Sequence, residues 1–255
     1  MNDGLRQVAA TRYVAPLREG GSLPALVEAD DDGYYVVKFR GAGQGPGALV
    51  AEVVAGELAR ALGLPVPELV VAGLAPELGR AEPDPEIQDL VIASAGDNLG
   101  VDFLPGALPF SPAAARDVDP ELAADVVWLD ALVMNVDRTP RNPNLLVWHG
   151  RTWLIDHGAA LYRQHGDAPL ADSALAAFPH VADHVLLAHA GSIAAADERL
   201  ADRAREAVAR VTERVPAGWL GANPEARRAD LAAFLRARLD EPRAFVEEAE
   251  RARAV

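Results

Sequence analysis

The amino-acid sequence predicts an α+β fold in which a strand-rich N-terminal part precedes a mostly helical C-terminal part. Within the first forty residues, short segments rich in β-branched and aromatic residues alternate with turn residues, a pattern typical of strands. After about residue 105, apolar residues recur at the spacing of amphipathic helices. We therefore divide the chain into an N-lobe, residues 1–104, and a C-lobe, residues 105–255, and expect a ligand cleft at the seam between them.

The N-lobe is predicted to consist of strands around one long helix. A hairpin turn is expected from Asp30 to Gly33, because aspartate and glycine favour turns. This cluster does not resemble a calcium-binding loop closely, because the later ligands of such a loop are missing. The long helix is expected over residues 51–63, since Gly63 is a suitable C-cap and Pro65 follows it. The predicted strands are residues 11–17, 23–29, 34–39, 68–74 and 98–106, with a short helix at residues 86–94.

The C-lobe is predicted to begin with a helix over residues 119–136. Asp119 is a plausible cap for this helix, and Pro120 suits its first position. A hairpin around His149 and Gly150 is expected to follow. From about residue 178 the chain is rich in alanine, arginine and glutamate, and prolines divide it into at least three helices.

Composition excludes several classes of protein. The chain has no cysteine, so a disulfide scaffold, a thiolate metal site and a cysteine nucleophile are ruled out. A net charge of −14, from 38 acidic and 24 basic residues, makes general nucleic-acid binding unfavourable. No uncharged apolar run reaches the roughly 18 residues of a membrane span, and the N-terminus lacks the plan of a signal peptide. We expect a soluble, cytoplasmic protein.

Two carboxylates and an amide provide the strongest functional signal. Asp137 follows the predicted helix, and Asn142 comes five residues later. The hairpin then leads to Asp156, 19 residues after Asp137, and Gly158 follows. Phosphoryl transfer needs residues of these types, because it depends on positioning and on charge neutralisation. One carboxylate can orient the acceptor hydroxyl, while an amide and a second carboxylate offer the oxygen ligands that Mg²⁺ prefers.

These residues resemble the catalytic and metal-binding loops of the HipA-like kinase family. The segment from Asn135 to Asn142 resembles the family's catalytic loop and, from Asp137, also that of phosphoinositide kinases. Asn135 and Val136 stand where eukaryotic protein kinases have His-Arg, and His157 replaces the phenylalanine of Asp-Phe-Gly, which favours the HipA-like branch. The resemblance covers roughly residues 10–190. It implies a bilobal protein-kinase-like fold, ATP and Mg²⁺ as cofactors, catalytic Asp137, and metal ligands Asn142 and Asp156.

A lysine on a strand is the second signal. Lys38 lies on the predicted strand of residues 34–39, from which it can reach the α- and β-phosphates of ATP. An acidic partner on the following helix would hold Lys38 extended. Glu52 is the better placed candidate, and Glu57 is the alternative. In this interpretation Lys38 contributes both to catalysis and to nucleotide binding.

Two glycine-containing segments are candidates for the loop over the phosphates. Gly20, Gly21 and Ser22 lie between the first two predicted strands, where the kinase phosphate loop belongs, and we prefer them. Residues 41–47 hold more glycine but come after Lys38, and they form neither a Walker A sequence nor GxGxxG before a helix. Backbone groups around Phe103 and Leu104 are predicted to form the hinge that holds adenine.

The remaining candidates are interpreted as structural. His180, His184 and His189 lack a convincing pattern of metal ligands, so surface or capping positions are expected for them. The tryptophans Trp128, Trp148 and Trp153 are expected to pack inside the C-lobe.

The sequence therefore predicts an ATP-dependent phosphotransferase. By resemblance alone, the expected acceptor is a serine or threonine of a protein. A lipid or small-molecule kinase, an enzyme that transfers AMP, and a non-catalytic pseudokinase remain alternatives.

Overall fold

The computed structural model describes residues 4–17, 23–43, 45–162 and 173–254. Within them, the strands are β1 (Arg6–Pro16), β2 (Ala25–Ala29), β3 (Tyr34–Lys38), β4 (Leu69–Leu74), β5 (Gly96–Asp102), β6 (Leu108–Pro109), β7 (Leu145–Trp148) and β8 (Arg151–Leu154). The α-helices are α1 (Gly45–Ala61), α2 (Pro85–Ala93), α3 (Pro120–Leu132), α4 (Ile193–Glu213), α5 (Pro224–Leu239) and α6 (Ala244–Arg253). The α+β prediction is confirmed, as are the predicted strands and the hairpin of β7 and β8.

The five strands of the N-terminal part close into a barrel with the order β1-β2-β3-β5-β4. Closure depends on a parallel pairing of β1 with β4, from Arg6 opposite Val70 to Ala9 opposite Gly73. This pairing explains why β1 starts at Arg6 although residues 11–17 were predicted. Alternate side chains of the strands fill the barrel, and α2 packs against the same apolar cluster.

Helix α1 begins earlier than the sequence indicated. The glycines and Pro46 suggested a loop up to residue 47, but the helix starts at Gly45, because proline is tolerated in a first turn. The expected end is confirmed, since Gly63 turns the chain with a φ of +85°. Every residue from 49 to 59 is buried. Helix α1 therefore lies between other elements and has no solvent-facing side over this stretch.

Helix α3 forms the centre of the C-terminal part. Asp119 accepts hydrogen bonds from the backbone N–H groups of Glu121 and Leu122, and Pro120 occupies the first turn, as predicted. Trp128 is buried in an edge-to-face contact with Phe245 of α6, with ring centroids 5.9 Å apart. This confirms the prediction for Trp128.

The other two tryptophans correct the prediction of interior packing. Trp148 and Trp153 are half-buried on the sheet of β6, β7 and β8, where their rings meet edge-to-face at 5.4 Å. They pack there because they lie on strands that leave one face partly open to solvent. None of the helices in the described residues has the length and apolarity that a membrane crossing requires.

Candidate active site

Lys38, Glu52 and Asp156 meet at one point although they lie on three separate elements. Lys38 ends β3, Glu52 lies on α1, and Asp156 follows β8. The Lys38 ammonium forms ion pairs with the Glu52 carboxylate and, at 2.7 Å, with Oδ1 of Asp156. The side chains of Lys38 and Glu52 are 13% and 2% exposed, whereas that of Asp156 is 43% exposed. The structure thus brings together three of the side chains that the sequence predicted for this site.

The ionisation of this cluster follows from burial and mutual attraction. Burial alone would raise the pKa of Glu52, but the adjacent Lys38 charge and the His157 ring together outweigh burial and lower that pKa below its usual range. Burial would lower the pKa of Lys38, yet the charges of Glu52 and Asp156 hold it above its ordinary value. The pKa of Asp156 is raised, because partial burial and repulsion by Glu52 outweigh the attraction of Lys38. Glu52 is therefore the firm partner of Lys38.

The backbone around Asp156 is shaped for a close approach. Asp156 has a φ of +54°, a left-handed conformation that costs a residue with a side chain roughly 1–2 kcal/mol. Such conformations concentrate at functional sites. A Cβ atom at Gly158 would lie 3.3 Å from Oε1 of Glu52 and 3.6 Å from Oδ1 of Asp156. Glycine at this position keeps both carboxylate oxygens clear.

Asp137 and Asn142 also lie together. The Asn142 side-chain amide donates to Oδ2 of Asp137 at 2.8 Å, and that of Asn144 donates to the same oxygen at 3.4 Å. The backbone of the loop is closed by two hydrogen bonds between Thr139 and Asn142, of 3.0 and 3.1 Å. The backbone N–H of Ile155 donates to the carbonyl of Asn144 at 3.1 Å, which joins this loop to the segment that carries Asp156.

A buried network holds this loop against α3. The carboxylate of Asp130 accepts from Asn135 at 2.9 Å, from Nε of Arg138 at 2.5 Å and from Nε2 of His184 at 3.0 Å. Because Nδ1 of His184 accepts from the backbone N–H of Leu186, Nε2 carries the proton. Burial would raise the pKa of Asp130, but Arg138 and the hydrogen bond from His184 together lower it far below its usual range. Burial lowers the pKa of His184, so its ring is neutral.

Arg138 extends this network to both functional loops. Its Nη1 donates to the carbonyls of Asn144 and, at 3.2 Å, Ile155. These carbonyls flank the β7–β8 hairpin, so one buried guanidinium ties the loop of Asp137 to the segment before Asp156. Neither Asp130 nor Arg138 was predicted as a residue that supports the site. A signal for Asp130 existed, because it is the one charged residue in the otherwise apolar segment 126–132 of α3.

A second buried arginine fixes the end of α3 from which this loop starts. Arg238 of α5 donates from Nε to the carbonyl of Leu132 at 2.7 Å and from Nη2 to that of Ala131 at 2.8 Å. Its Nη1 donates to the carbonyls of Ala174 and Ala176. Burial lowers the pKa of Arg238 to about 10, so the guanidinium stays charged near neutral pH. It caps the carbonyls that a helix leaves unpaired at its C-terminus.

The other predicted site residues lie either outside the described residues or at positions away from Lys38. Gly20, Gly21 and Ser22 lie outside the described residues. The backbone N–H of Phe103 donates to the carbonyl of Tyr34 at 2.9 Å, so this donor is already used, and the side chain of Leu104 is buried. Glu57 does not contact Lys38 but pairs with Arg60 and Arg214. The hinge assignment remains a prediction.

The three histidines occupy the surface or capping positions that were predicted. His180 and His189 are exposed. His184 is the C-cap of the short 3-10 helix Pro179–Asp183, and it is buried, with its ring N–H donating to Asp130. Within the described part of the chain, no group of three side chains is suited to hold a metal ion through histidine, cysteine or carboxylate ligands. The assignment of Asp156 and Asn142 as ligands of Mg²⁺ remains a prediction, which depends on the preference of this ion for carboxylate and amide oxygens.

The sequence contained one further signal for this site. Lys38 is the only lysine in the chain, because the other 23 of the 24 basic residues are arginines. The single lysine lies where β3, α1 and Asp156 meet, and its compact ammonium differs in shape and hydrogen-bonding geometry from the planar guanidinium of arginine.

Comparison with known proteins identifies the class. A family model described as HipA-like kinase matches residues 11–243, so the chain belongs to the HipA-like kinase family, whose members are kinase-type phosphotransferases. The match includes α4 and α5 and therefore extends beyond residues 10–190, which the sequence motifs indicated. The motifs could not indicate these helices, because generic helical periodicity is not specific to one family.

A solved structure and the curated proteins complete the comparison. The structure of the proinflammatory kinase CtkA from Helicobacter pylori is similar, with a TM-score of 0.60, 14% identity, and coverage of 95% of this chain and 96% of that chain. At this identity the likeness establishes a shared fold. No curated protein matches the sequence.

Proposed function

We propose that the protein transfers the γ-phosphate of ATP to a hydroxyl group, with serine or threonine of a protein as the favoured acceptor. The observation that carries this proposal is the meeting of Lys38, Glu52 and Asp156, beside a loop in which Asn142 contacts Asp137. Residues 1–104 would form the N-lobe and residues 105–255 the C-lobe of a bilobal kinase. The nucleotide would bind between them.

Each side chain of the site would have a separate role. Lys38, held extended by Glu52, would contact the phosphates of ATP. Asp156 and Asn142 would hold Mg²⁺, because a carboxylate and an amide offer the hard oxygen ligands that this ion prefers. Magnesium, when bound, supplies neutralisation of the phosphate charge. Gly158 would leave room for these groups, since a larger residue would crowd Glu52 and Asp156.

Asp137 is suited to orient the acceptor hydroxyl and take its proton. Both amide donors that contact its carboxylate, from Asn142 and Asn144, go to Oδ2. Among the hydrogen bonds of the described residues, none engages Oδ1. That oxygen is therefore the one that can accept from a substrate hydroxyl, while the amides fix the direction of the carboxylate.

An apolar strip next to Lys38 is suited to the adenine base. Leu26, Val36 and Val101 are neighbours across β2, β3 and β5, because Leu26 pairs with Val36 and Val36 pairs with Val101. All three are half-buried, and Val36 lies two residues before Lys38 on the same side of β3. The strip would contact one face of adenine. A hinge hydrogen bond would have to come from a group other than the N–H of Phe103, which Tyr34 already engages.

Transfer of phosphate from γ-labelled ATP tests the proposal. The protein is incubated with Mg²⁺ and a protein acceptor, and its own autophosphorylation is measured in parallel. Asp137→Asn should lower the rate by about 10²–10⁴-fold, the usual contribution of a positioned base. Asp117→Asn changes a side chain that is 73% exposed and is the matched control.

Each contrary outcome assigns a different activity. Label entering from the α-phosphate would show AMP transfer. Transfer only to a lipid or small molecule would replace the protein acceptor. Binding of ATP and Mg²⁺ without turnover would indicate a pseudokinase, and absence of binding by a folded sample would overturn the proposal.

A further inference from the structure

Helix α1 carries two buried carboxylates that point in different directions. Glu52 and Glu57 are five residues apart, which places them about 140° apart around the helix and about 7.5 Å apart along it. Glu52 contacts Lys38, whereas Glu57 contacts arginines outside the barrel. Helix α1 therefore joins the phosphate-binding lysine to another part of the molecule.

The partner of Glu57 lies at the end of α4. Glu57 is 3% exposed and forms an ion pair with Arg214, the C-cap residue of α4, and a second with Arg60 at 3.4 Å. A buried carboxylate needs such partners, because its ionised form is strongly disfavoured without them. Arg214 thus makes the buried position of Glu57 compatible with its charge, and it fixes this face of α1 against α4.

A second contact joins α4 to the C-terminal end of α1. Nη2 of Arg203 donates to the carbonyl of Leu62 at 2.9 Å and to that of Ala61 at 3.4 Å. These are carbonyls that a helix end leaves without an internal partner. Just beyond them, the backbone N–H of Leu154 donates to the carbonyl of Pro65 at 2.8 Å, two residues before Asp156. The end of α1 is therefore attached both to α4 and to the strand that leads to Asp156.

We infer that α4 keeps the Lys38–Glu52 pair assembled, with Arg203 and Arg214 as positioning residues that act through α1. The ion pair is then formed in the resting protein, and its formation does not await a movement of α1 such as the one that controls many protein kinases. This inference rests on the proposed function for its catalytic consequence. The attachment of α1 itself can be measured without ATP.

The test removes both arginine charges and follows Lys38 directly. Arg203→Met and Arg214→Met, combined, keep much of the aliphatic length of each side chain. Arg210→Met, an exposed arginine of the same helix, is the matched control. Because Lys38 is the only lysine, its acylation by an amine-reactive acetylating reagent can be followed by peptide mass spectrometry. Hydrogen exchange of residues 49–59 reports on α1.

We expect the double variant to expose Lys38 and to loosen α1. Acylation of Lys38 and exchange of α1 should both be faster than in the control. Affinity for ATP with Mg²⁺ should fall by between about twofold and thirtyfold, the range of coupling through packed elements. In a Glu52→Gln background the same substitutions should cause no further loss of affinity, because they act through Glu52.

Two results would overturn the inference. One is acylation and exchange equal to those of the control. The other is a loss of ATP affinity, caused by the two arginine substitutions, that is as large in the Glu52→Gln background as in the wild-type background. If the double variant does not fold, Glu57→Gln and Arg214→Lys replace it: the first should speed acylation of Lys38, and the second should keep it slow. A wild type that binds no ATP would refute the proposed function, but acylation and exchange would still decide whether α4 holds α1.

Discussion

Replacing Asp130 with asparagine tests the buried network that holds the loop of Asp137. The substitution keeps the shape of the side chain but leaves the Arg138 guanidinium without its countercharge. Both side chains are at most 1% exposed, and Asp130 is also the partner of His184. Breaking a buried ion pair of this kind costs about 3–5 kcal/mol, because the remaining charge stays in the interior. For a domain of this size, that corresponds to a loss of roughly 6–20 °C in the midpoint of thermal unfolding.

Asp125→Asn provides a control on the same helix. Asp125 pairs with Arg199 at 2.5 Å, but Arg199 is partly exposed. Burial raises the pKa of Asp125 in spite of that contact, so the fold does not favour its charge. Loss of this pair should cost no more than about 1 kcal/mol. The two aspartates thus differ in the direction of their pKa change, and the two variants should differ in stability accordingly.

Urea denaturation and thermal unfolding of both variants provide the measurement. If Asp130→Asn lost less than about 1 kcal/mol, or no more than Asp125→Asn, the reasoning from buried charge would be refuted. The fold also predicts the effect of acid. Since the pKa of Asp130 is lowered in the fold, its stabilisation is present above about pH 4 and is lost as the pH falls below that value. The wild type should therefore lose more stability than Asp130→Asn in this range.

Three further predictions concern the site and its supports. Gly158→Ala places a methyl group against two carboxylates and should weaken the binding of ATP with Mg²⁺, as measured by calorimetry. Gly218→Ala, which has open space around its Cβ, should leave the affinity unchanged. Equal affinities of the two variants would contradict the predicted crowding. The pKa of His184 is lowered, so the neutral ring stabilises the fold above about pH 6.5 and this contribution is lost as the pH falls. His184→Gln should reduce the difference in unfolding free energy between pH 7 and pH 5, and an unchanged difference would exclude this role. Arg238→Met leaves several buried carbonyls unpaired and should lower the free energy of unfolding, measured by urea denaturation, by at least about 3 kcal/mol. Arg236→Met, which changes an exposed side chain, should have almost no effect. Similar losses of stability in both variants would argue against the role of Arg238 as a helix cap.

The elements that were predicted well depend on local signals. Asp119 and Pro120 mark the start of α3, and Gly63 marks the end of α1, because caps and turns act through neighbouring backbone groups. The alternation of apolar and polar residues predicted the strands, because this pattern is also local in the sequence. It could not predict that β1 and β4 pair in parallel and close a barrel, since that pairing depends on contacts between residues more than sixty positions apart.

The candidate site residues could be selected from the sequence, but the residues that support them could not. The types and spacing of Asp137, Asn142 and Asp156 carried the chemical signal, and Glu52 lies where the helix after Lys38 was expected to place it. His184 gave no such signal, because its partner Asp130 lies 54 positions earlier in the chain. The burial of His184 comes from packing between distant segments, and the periodicity of the sequence around His184 does not indicate it.

The position of α1 determines how the protein can be divided. Although α1 precedes the lobe boundary that was predicted at residue 104, its buried side chains belong to the same apolar cluster as those of α3 and α4. A fragment of residues 1–104 would expose this surface and the carboxylate of Glu57 to water, and a fragment of residues 105–255 would lose the helix that fills its core. Neither half should fold alone. The chain should instead unfold in a single cooperative transition, with equal calorimetric and van't Hoff enthalpies.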